Sequence, residues 1–332
     1  MIGRGRPLDP SVQTDLLEAV RMVQVVNGYI HVAGVPVCPM PHPASDGSEA
    51  LVPLETSLYC RWYARWSPPA SGSVRDVETP ETLGIVRAAH HASERFTTGW
   101  TVGWVGAFGD IQVVRDGEEL FLQPPDYVNI TRLAAPVAVG DSVAVTTRRD
   151  SFAPKEGWWY TWSSKGPPPS SPMVRIYFNC AVESIGDFLR AITPVLEEGD
   201  TVYMMKCPSE AGLFGRCDSV VLYLSPEIWR SVKHKLRTVY ERIAHNLRPE
   251  VPRLTKRLGT GVAIAEDPAN GGSFGQSRAH AVADGVLKVL RSGLADEDEA
   301  IATITARLIA HDISPEHPFL RAGSAEDVVS SW

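Results

Sequence analysis

An α+β fold, a mainly antiparallel sheet packed with helices, is predicted by three features of this sequence. Val174–Cys180 (VRIYFNC) alternates strictly, with Val174, Ile176, Phe178 and Cys180 on one face and Arg175, Tyr177 and Asn179 on the other. After it the patterns run strand, helix, strand, strand, helix, then helix, an order that suits helices layered on a sheet. Before it, DIQVVRDGEELFL at Asp110–Leu122 carries Asp116-Gly117 between two strand-like runs, the chemistry of a hairpin turn.

From the start of the chain, Pro10–Val26 approximates a helical stripe through Val12, Leu16, Leu17, Val20, Met22 and Val23. Tyr29–Val37 reads as one short strand ended by Pro39, and Pro39–Glu49 as a loop rich in Pro, Ser and Gly. Thr56–Trp66 reads as an amphipathic helix whose Tyr59, Trp62, Tyr63 and Trp66 recur at helical spacing, which favours core packing. Ser67–Ser73 is a loop, and Glu78–Thr97 is mostly helical. His90 and His91 within it are adjacent, so they point apart and do not suit a shared metal ion. Val137–Thr147 holds an alternating strand, and Gly157–Trp162 (GWWYTW) a further one.

Lys165–Pro172 (KGPPPSSP) breaks regular structure and marks a boundary. It divides a helical and β-hairpin region, 1–165, from a sheet-and-helix region, 166–332, the two able to form one compact unit. In the second region Ser184–Glu197 is an amphipathic helix, Thr201–Cys207 and Ser219–Leu224 are strands, and Pro226–Leu247 is a long helix with a basic face. Leu258–Ile264 is a short apolar run, and a last helix, Asp296–Ala310, precedes a polar tail.

The 332 residues are 44% hydrophobic and 21% charged, as in ordinary globular chains. A net charge of −7 argues against a general nucleic-acid binder and leaves any anionic ligand to a local cluster. Five scattered cysteines form neither a disulfide framework nor a zinc pattern. With no signal-peptide core and no apolar run of membrane-span length, a cytoplasmic location and no membrane partner are expected.

Ala265–Gly285 (AEDPANGGSFGQSRAHAVADG) opens a helix after turn chemistry at Asp267-Pro268 and Gly271-Gly272. Ser273 is the N-cap, and Arg278 falls in the first turns, beside free backbone N–H groups suited to phosphate. The bland alternative is a capped amphipathic helix with a surface Arg. On the strands, Arg175, Tyr177 and Asn179 form a row that a solvent face would also explain. Lys206 shares a face with Val202 and Met204, and either snorkels or is partly desolvated, which would make it a base. Arg216 and Asp218 form an ion pair, or Arg216 binds an anion while Asp218 orients a neighbour. No Walker A loop, dinucleotide fingerprint or nucleophile elbow is present.

VRIYFNC, then MMKCP, then GRCDSVVLYL, then GVAIAEDP…SFGQSRAHAVADG resemble the Hop effector family, A type, over about Tyr160–Gly285. Relatives of that family accompany aminoglycoside-phosphotransferase-like kinases in class V lanthipeptide and thioviridamide-type peptide pathways. The resemblance implies a lyase that eliminates phosphate from a kinase-phosphorylated ribosomal precursor peptide, giving dehydroalanine or dehydrobutyrine. It implies no cofactor and no metal, with the phosphorylated precursor and a separate kinase as partners. Carried onto this sequence, Lys206 is the base. Arg175, Arg216 and Arg278, with Ser273, bind phosphate. Tyr177 donates to phosphate or enolate, His280 is a weaker acid, and Asp218 and Asn179 support them. The rival reading is a non-catalytic scaffold that binds leader peptide or kinase.

Overall fold

Asp9 accepts a hydrogen bond from Ser11 N at 2.8 Å, and Pro10 takes the first helical position, so the chain enters helix α1 (Pro10–Met22) without unpaired donors. The computed structural model describes residues 8–66, 79–90, 94–124, 126–133, 135–153, 157–169, 172–198, 201–268, 272–294 and 296–332. The helical reading of Pro10–Val26 ends four residues early. Val23, Val25 and Val26 are β-branched and form strand β1 (Val23–Val26) instead. The single strand expected over Tyr29–Val37 is two, β2 (Tyr29–Val32) and β3 (Val35–Pro39). Asn27-Gly28 and Ala33-Gly34, all at positive φ, turn the chain between β1, β2 and β3.

Helix α2 (Ser48–Leu58) runs into one π-helical turn, Tyr59–Tyr63. Helix α3 (Thr79–Ala89) ends well before Thr97, because the aromatic and Thr-rich stretch that follows forms strand β4 (Glu94–Val105). His90 is buried and hydrogen-bonds the Tyr203 hydroxyl and Thr161 Oγ1, each at 3.2 Å. His91, the loop read at Ser67–Ser73 and Gly271 lie outside the described residues. β5 (Ile111–Arg115) and β6 (Glu118–Leu122) form the expected hairpin through Asp116-Gly117, both at positive φ. With β7 (Tyr127–Asn129) and β8 (Ser142–Arg148) they complete an antiparallel sheet, ordered β6-β5-β4-β8-β7. Its core is Trp100, Val102, Ile111, Val113, Val143 and Val145.

The largest sheet contains β9 (Asp150–Ala153), β10 (Trp158–Trp162), β11 (Val174–Phe178), β12 (Met204–Pro208), β13 (Val220–Leu224), β14 (Lys256–Gly259) and β15 (Val262–Glu266). Their order is β14-β15-β11-β13-β12-β10-β9, antiparallel throughout. The α+β architecture read from the sequence is the one the chain adopts. Two of these strands precede Lys165–Pro172 and five follow it. Helices α4 (Ile185–Glu197) and α5 (Pro226–Ile243) supply Phe188, Leu189, Ile192, Trp229 and Leu236 to one core, with Val174, Ile176, Phe178, Leu222 and Cys207 from the sheet.

The opposite sheet face carries Tyr177, Val221 and Tyr223 beneath α6 (Phe274–Ser292), the π turn and α2. Helix α7 (Glu297–Ala310) backs α6, where Ile301 and Ile304 join Val282 and Val286 in one core. The alternation of β11 is real, but its polar face is not a solvent face. Arg175, Tyr177 and Asn179 are only 8%, 2% and 2% exposed. The tail is less polar in role than in composition. Trp332 stacks on Tyr240 and donates to Leu258 O at 3.1 Å. Among the described residues no helix is long and apolar enough to cross a membrane.

Gly275 lets α6 approach the π turn, since a Cβ there would fall inside the van der Waals surface of the Tyr63 ring. Gly275→Ala is expected to cost about 1–3 kcal/mol by overpacking, read as a lower urea midpoint at unchanged slope.

Candidate functional site

Strand register brings the candidate residues onto one face. Tyr177 pairs with Val221 and Val221 with Lys206, while Arg175 pairs with Tyr223. Lys206 and Tyr177 are therefore one strand apart across β13, roughly 9–10 Å between backbones. Arg216 and Asp218 enter from the segment before β13, and Asp267 from the end of β15.

Lys206 is half-buried. Its ammonium makes no hydrogen bond or ion pair with any described residue and lies 4.4 Å from the centre of the Trp158 ring. Desolvation lowers its pKa. Tyr59 and Asp218 oppose that shift, while Arg175 and Arg216 add to it.

Arg216 sits in an aromatic box of Tyr59, Trp158 and Trp66, at 5.1, 5.5 and 5.9 Å. Its Nε and Nη2 donate to the two carboxylate oxygens of Asp218, each at 2.8 Å, and Nη2 also donates to the Tyr59 hydroxyl at 2.8 Å. Burial works against its charge, but Asp218 and Tyr59 outweigh it and raise the pKa. Arg175 pairs with Asp267 and donates to Gly272 O at 2.9 Å, so it ties the loop before α6 to the sheet. Burial again opposes its charge, and Tyr223, Tyr177 and Asp267 prevail. Asp267 is itself raised by desolvation, against the pull of Arg175. Neither Nη1 of these two arginines donates to a described residue.

The π turn aims two phenols inward. Tyr59 stacks on Tyr63 at 5.6 Å, and Phe274 tilts against both Tyr63 and Tyr177. The Tyr63 and Tyr177 hydroxyls lie close to each other without hydrogen-bond geometry, and each is buried with no partner. Burial raises the pKa of Tyr59, Tyr63 and Tyr177, so all three remain protonated donors at neutral pH. Three cations, Lys206, Arg175 and Arg216, thus face two carboxylates, Asp218 and Asp267. Arg175 and Arg216 are balanced by Asp267 and Asp218, so protonated Lys206 would be a surplus charge, while with Lys206 neutral the two Nη1 groups and the phenol donors beside them are what remains to meet an anion.

The remaining predicted residues are placed apart or occupied. Arg278 is buried, not on the surface. Its guanidinium donates to Pro318 O at 3.0 Å, Leu320 O at 2.8 Å and Ser277 Oγ at 2.8 Å, and lies 4.2 Å over Phe274. Burial pulls its pKa down to about 10, so it is still charged at neutral pH. It anchors the tail, while remaining near enough to Glu266 and Arg175 to feel their charge. Ser273 caps α6, accepting from Gln276 N at 3.4 Å. His280 lies two residues past Arg278, about 200° round the helix, and faces elsewhere. Its Nδ1 meets Glu55 at 2.8 Å, and its ring packs edge-on against His311. Asn179 donates to Glu250 O at 3.0 Å and lines a separate small cavity. The thiols of Cys207 and Cys217 are raised well above their usual value by burial, which suits packing and not nucleophilic chemistry.

Tyr59, Trp158 and Asp267 were not singled out by sequence. Tyr59 was hidden in an aromatic stripe, Trp158 in a strand, and Asp267 in the turn signal Asp-Pro. A larger cavity of about 820 Å³ lies between the start of α1, residues 251–257 and residues 316–319. None of Lys206, Arg175 or Arg216 lines it, so the chemistry and the larger volume are in different places.

Solved structures similar to this chain include two effector proteins. One is the effector protein from Pseudomonas syringae pv. tomato strain DC3000, 14% identical, covering 94% of this chain and 99% of that one, with a TM-score of 0.48. The other is the effector protein from Pseudomonas syringae pv. syringae strain 61, 14% identical, covering 96% of this chain and 100% of that one, with a TM-score of 0.49. No curated protein matches the sequence. The sequence profile of the HopA1 effector protein family matches residues 151–320, the stretch that carries the whole Lys206, Arg175, Arg216 and Asp267 cluster. The chain belongs to the HopA1 effector protein family.

Proposed function

We propose that this protein is a phosphoserine/phosphothreonine lyase acting on a kinase-phosphorylated ribosomal precursor peptide. The observation that carries the reading is the desolvated Lys206 amine, unpaired among the described residues and set among Arg175, Arg216 and neutral phenols. In its neutral form Lys206 takes the Cα proton. The electron pair left on Cα forms the Cα=Cβ bond, and the Cβ–O bond breaks with its pair leaving on phosphate. Arg175 and Arg216 hold the phosphoryl oxygens through their free Nη1 groups. A phenol O–H, from Tyr59 or Tyr177, donates to the charge building on the adjacent carbonyl oxygen. Lys206 then returns its proton to solvent. The step requires no metal, and the phosphoryl group comes from a separate aminoglycoside-phosphotransferase-like kinase.

Incubating the purified protein with a chemically phosphorylated precursor peptide tests the reading. A lyase yields the dehydrated residue and free phosphate with neither kinase nor nucleotide present. Unchanged phosphopeptide at micromolar enzyme would reject it. One observation favours the second reading, a scaffold for leader peptide or kinase. The five-stranded sheet and its loops expose Phe96, Phe108, Phe121 and Leu133, at 58%, 94%, 74% and 77%. Both readings predict that the co-expressed kinase co-migrates with this protein on size exclusion, which raises the local concentration of phosphorylated intermediate. Independent elution at micromolar concentration would count against a stable complex.

A further inference from the structure

We propose that a second anion site adjoins the first and takes an acidic side chain, carboxylate or phosphoryl, together with its own backbone N–H. The identity of the chain bearing that group, the precursor peptide, rests on the lyase reading. The site is a cavity of about 350 Å³ lined by Arg61, Arg65, Asn179, Gly215, Cys217 and Arg248, with Glu18 and Glu250.

Its polar groups are incompletely satisfied in a complementary way. Arg61 and Arg65 make no hydrogen bond or ion pair with a described residue. Arg248 is fixed by Nη2, which donates to the backbone carbonyls of Cys180, Phe214 and Arg216, yet its buried Nε has no partner. Asn179 is 2% exposed, and its Oδ1 accepts nothing although Nδ2 is used. Of the two acids, Glu18 is already paired with Arg253. Three guanidinium groups therefore face one uncommitted carboxylate, Glu250. Buried donors and acceptors left unpaired are costly. A free phosphate answers the arginines but offers no reliable donor to Asn179. An acidic residue in a peptide supplies an anion to the arginines and an N–H to the Asn179 acceptor.

Two walls link this cavity to the first site. Gly215 and Cys217 line it, while the side chain of Arg216 between them turns to Trp158 and Asp218. Tyr59 and Tyr63 of the π turn serve the first site, while Arg61 and Arg65 serve the second. The two anion sites stand back to back across one strand of chain and one helical turn. A peptide that passes round this wall advances about 3.3 Å per residue when extended, which puts the acid several residues from the phosphorylated one.

The test is equilibrium binding by fluorescence anisotropy to the full chain in the Lys206→Ala background, which does not consume substrate. The probes are labelled peptides with phosphoserine or serine at a fixed position and a single Asp or Ala scanned over five positions on either side. Asp at one or two positions is expected to tighten binding about tenfold. Arg61→Ala with Arg65→Ala should erase that gain and leave the acid-free phosphopeptide unchanged. Arg65→Glu, a change at an exposed residue with no partner among the described residues, should turn the gain into a loss and serves as the control if the double variant melts early. No gain at any position, or a gain that survives both variants, overturns the proposal. An Asp gain with serine and phosphoserine peptides alike, alongside wild-type protein that eliminates nothing, rejects the lyase reading and leaves the acidic subsite standing.

Discussion

Lys206→Ala is expected to leave folding and phosphopeptide binding largely intact and to abolish elimination. With kinase and ATP present, the precursor then accumulates about 80 Da heavier per site, the mass of an added phosphoryl group. The geometry explains why binding survives: the Lys206 ammonium has no hydrogen-bond partner among the described residues, so its loss strands none of their polar groups. Lys206→Arg should be equally inactive, since a guanidinium stays protonated. For the wild type, kcat/KM should rise with pH through an apparent pKa below the usual Lys value, because only the neutral amine accepts the proton. Stability follows the same sign. Between the lowered folded pKa and the unfolded 10.5, the unfolded chain binds more protons, so stability rises with pH across that window. Lys206→Met should remove this dependence and melt at or above the wild-type temperature. Near wild-type turnover by Lys206→Ala would place the base elsewhere.

Arg216→Ala should weaken phosphopeptide binding by about 2–4 kcal/mol. It also carries a second cost. Asp218 is 5% exposed and gives both carboxylate oxygens to this guanidinium, so truncation strands a buried charge, a loss of about 3–5 kcal/mol of stability. The two effects separate with Arg216→Ala plus Asp218→Asn, which should recover much of the melting temperature and none of the phosphate affinity. Retained affinity in that double variant would remove Arg216 from the clamp. Arg175→Ala should behave similarly through Asp267. Arg278→Ala should lower stability, because its donors hold Pro318 and Leu320, and it should act on affinity only through that anchor.

The second half of the chain was the more legible, for a physical reason. Its strands alternate and its helices are capped, as Ser273 and Asp296 show, so periodicity and end signals agree. Arg175 and Tyr177 were read on the correct face, but their burial was not, because the helix that covers them arrives about a hundred residues later. Arg278 was read as a phosphate ligand, with a surface residue as the alternative, because nothing local reveals that the tail returns to its guanidinium. The start of the chain misled in another way. Val23–Val26 continues the helical stripe of α1 in hydrophobicity while its β-branched side chains and the following Asn27-Gly28 favour a hairpin. In the Tyr59–Tyr63 turn, i→i+5 spacing breaks the 3.6-residue period, so the aromatic stripe could not tell Tyr59, which meets Arg216, from Trp62, which is core.

The strand order β14-β15-β11-β13-β12-β10-β9 also sets the tempo at which the protein reaches this state. β11 is flanked by β13 and β15, so the centre of the sheet cannot be zipped until Glu266 is available. The apolar faces of α1 and α2 wait longer still, for α6. A chain emerging from the ribosome therefore presents Leu16, Leu54 and Trp62 covered only by neighbouring N-terminal elements while more than two hundred residues are made. Such non-local pairing refolds slowly, on the order of milliseconds to seconds or more, through collapsed species that are prone to associate. Yield on expression is therefore expected to depend on the lifetime of that half-assembled sheet as well as on the stability of the finished one.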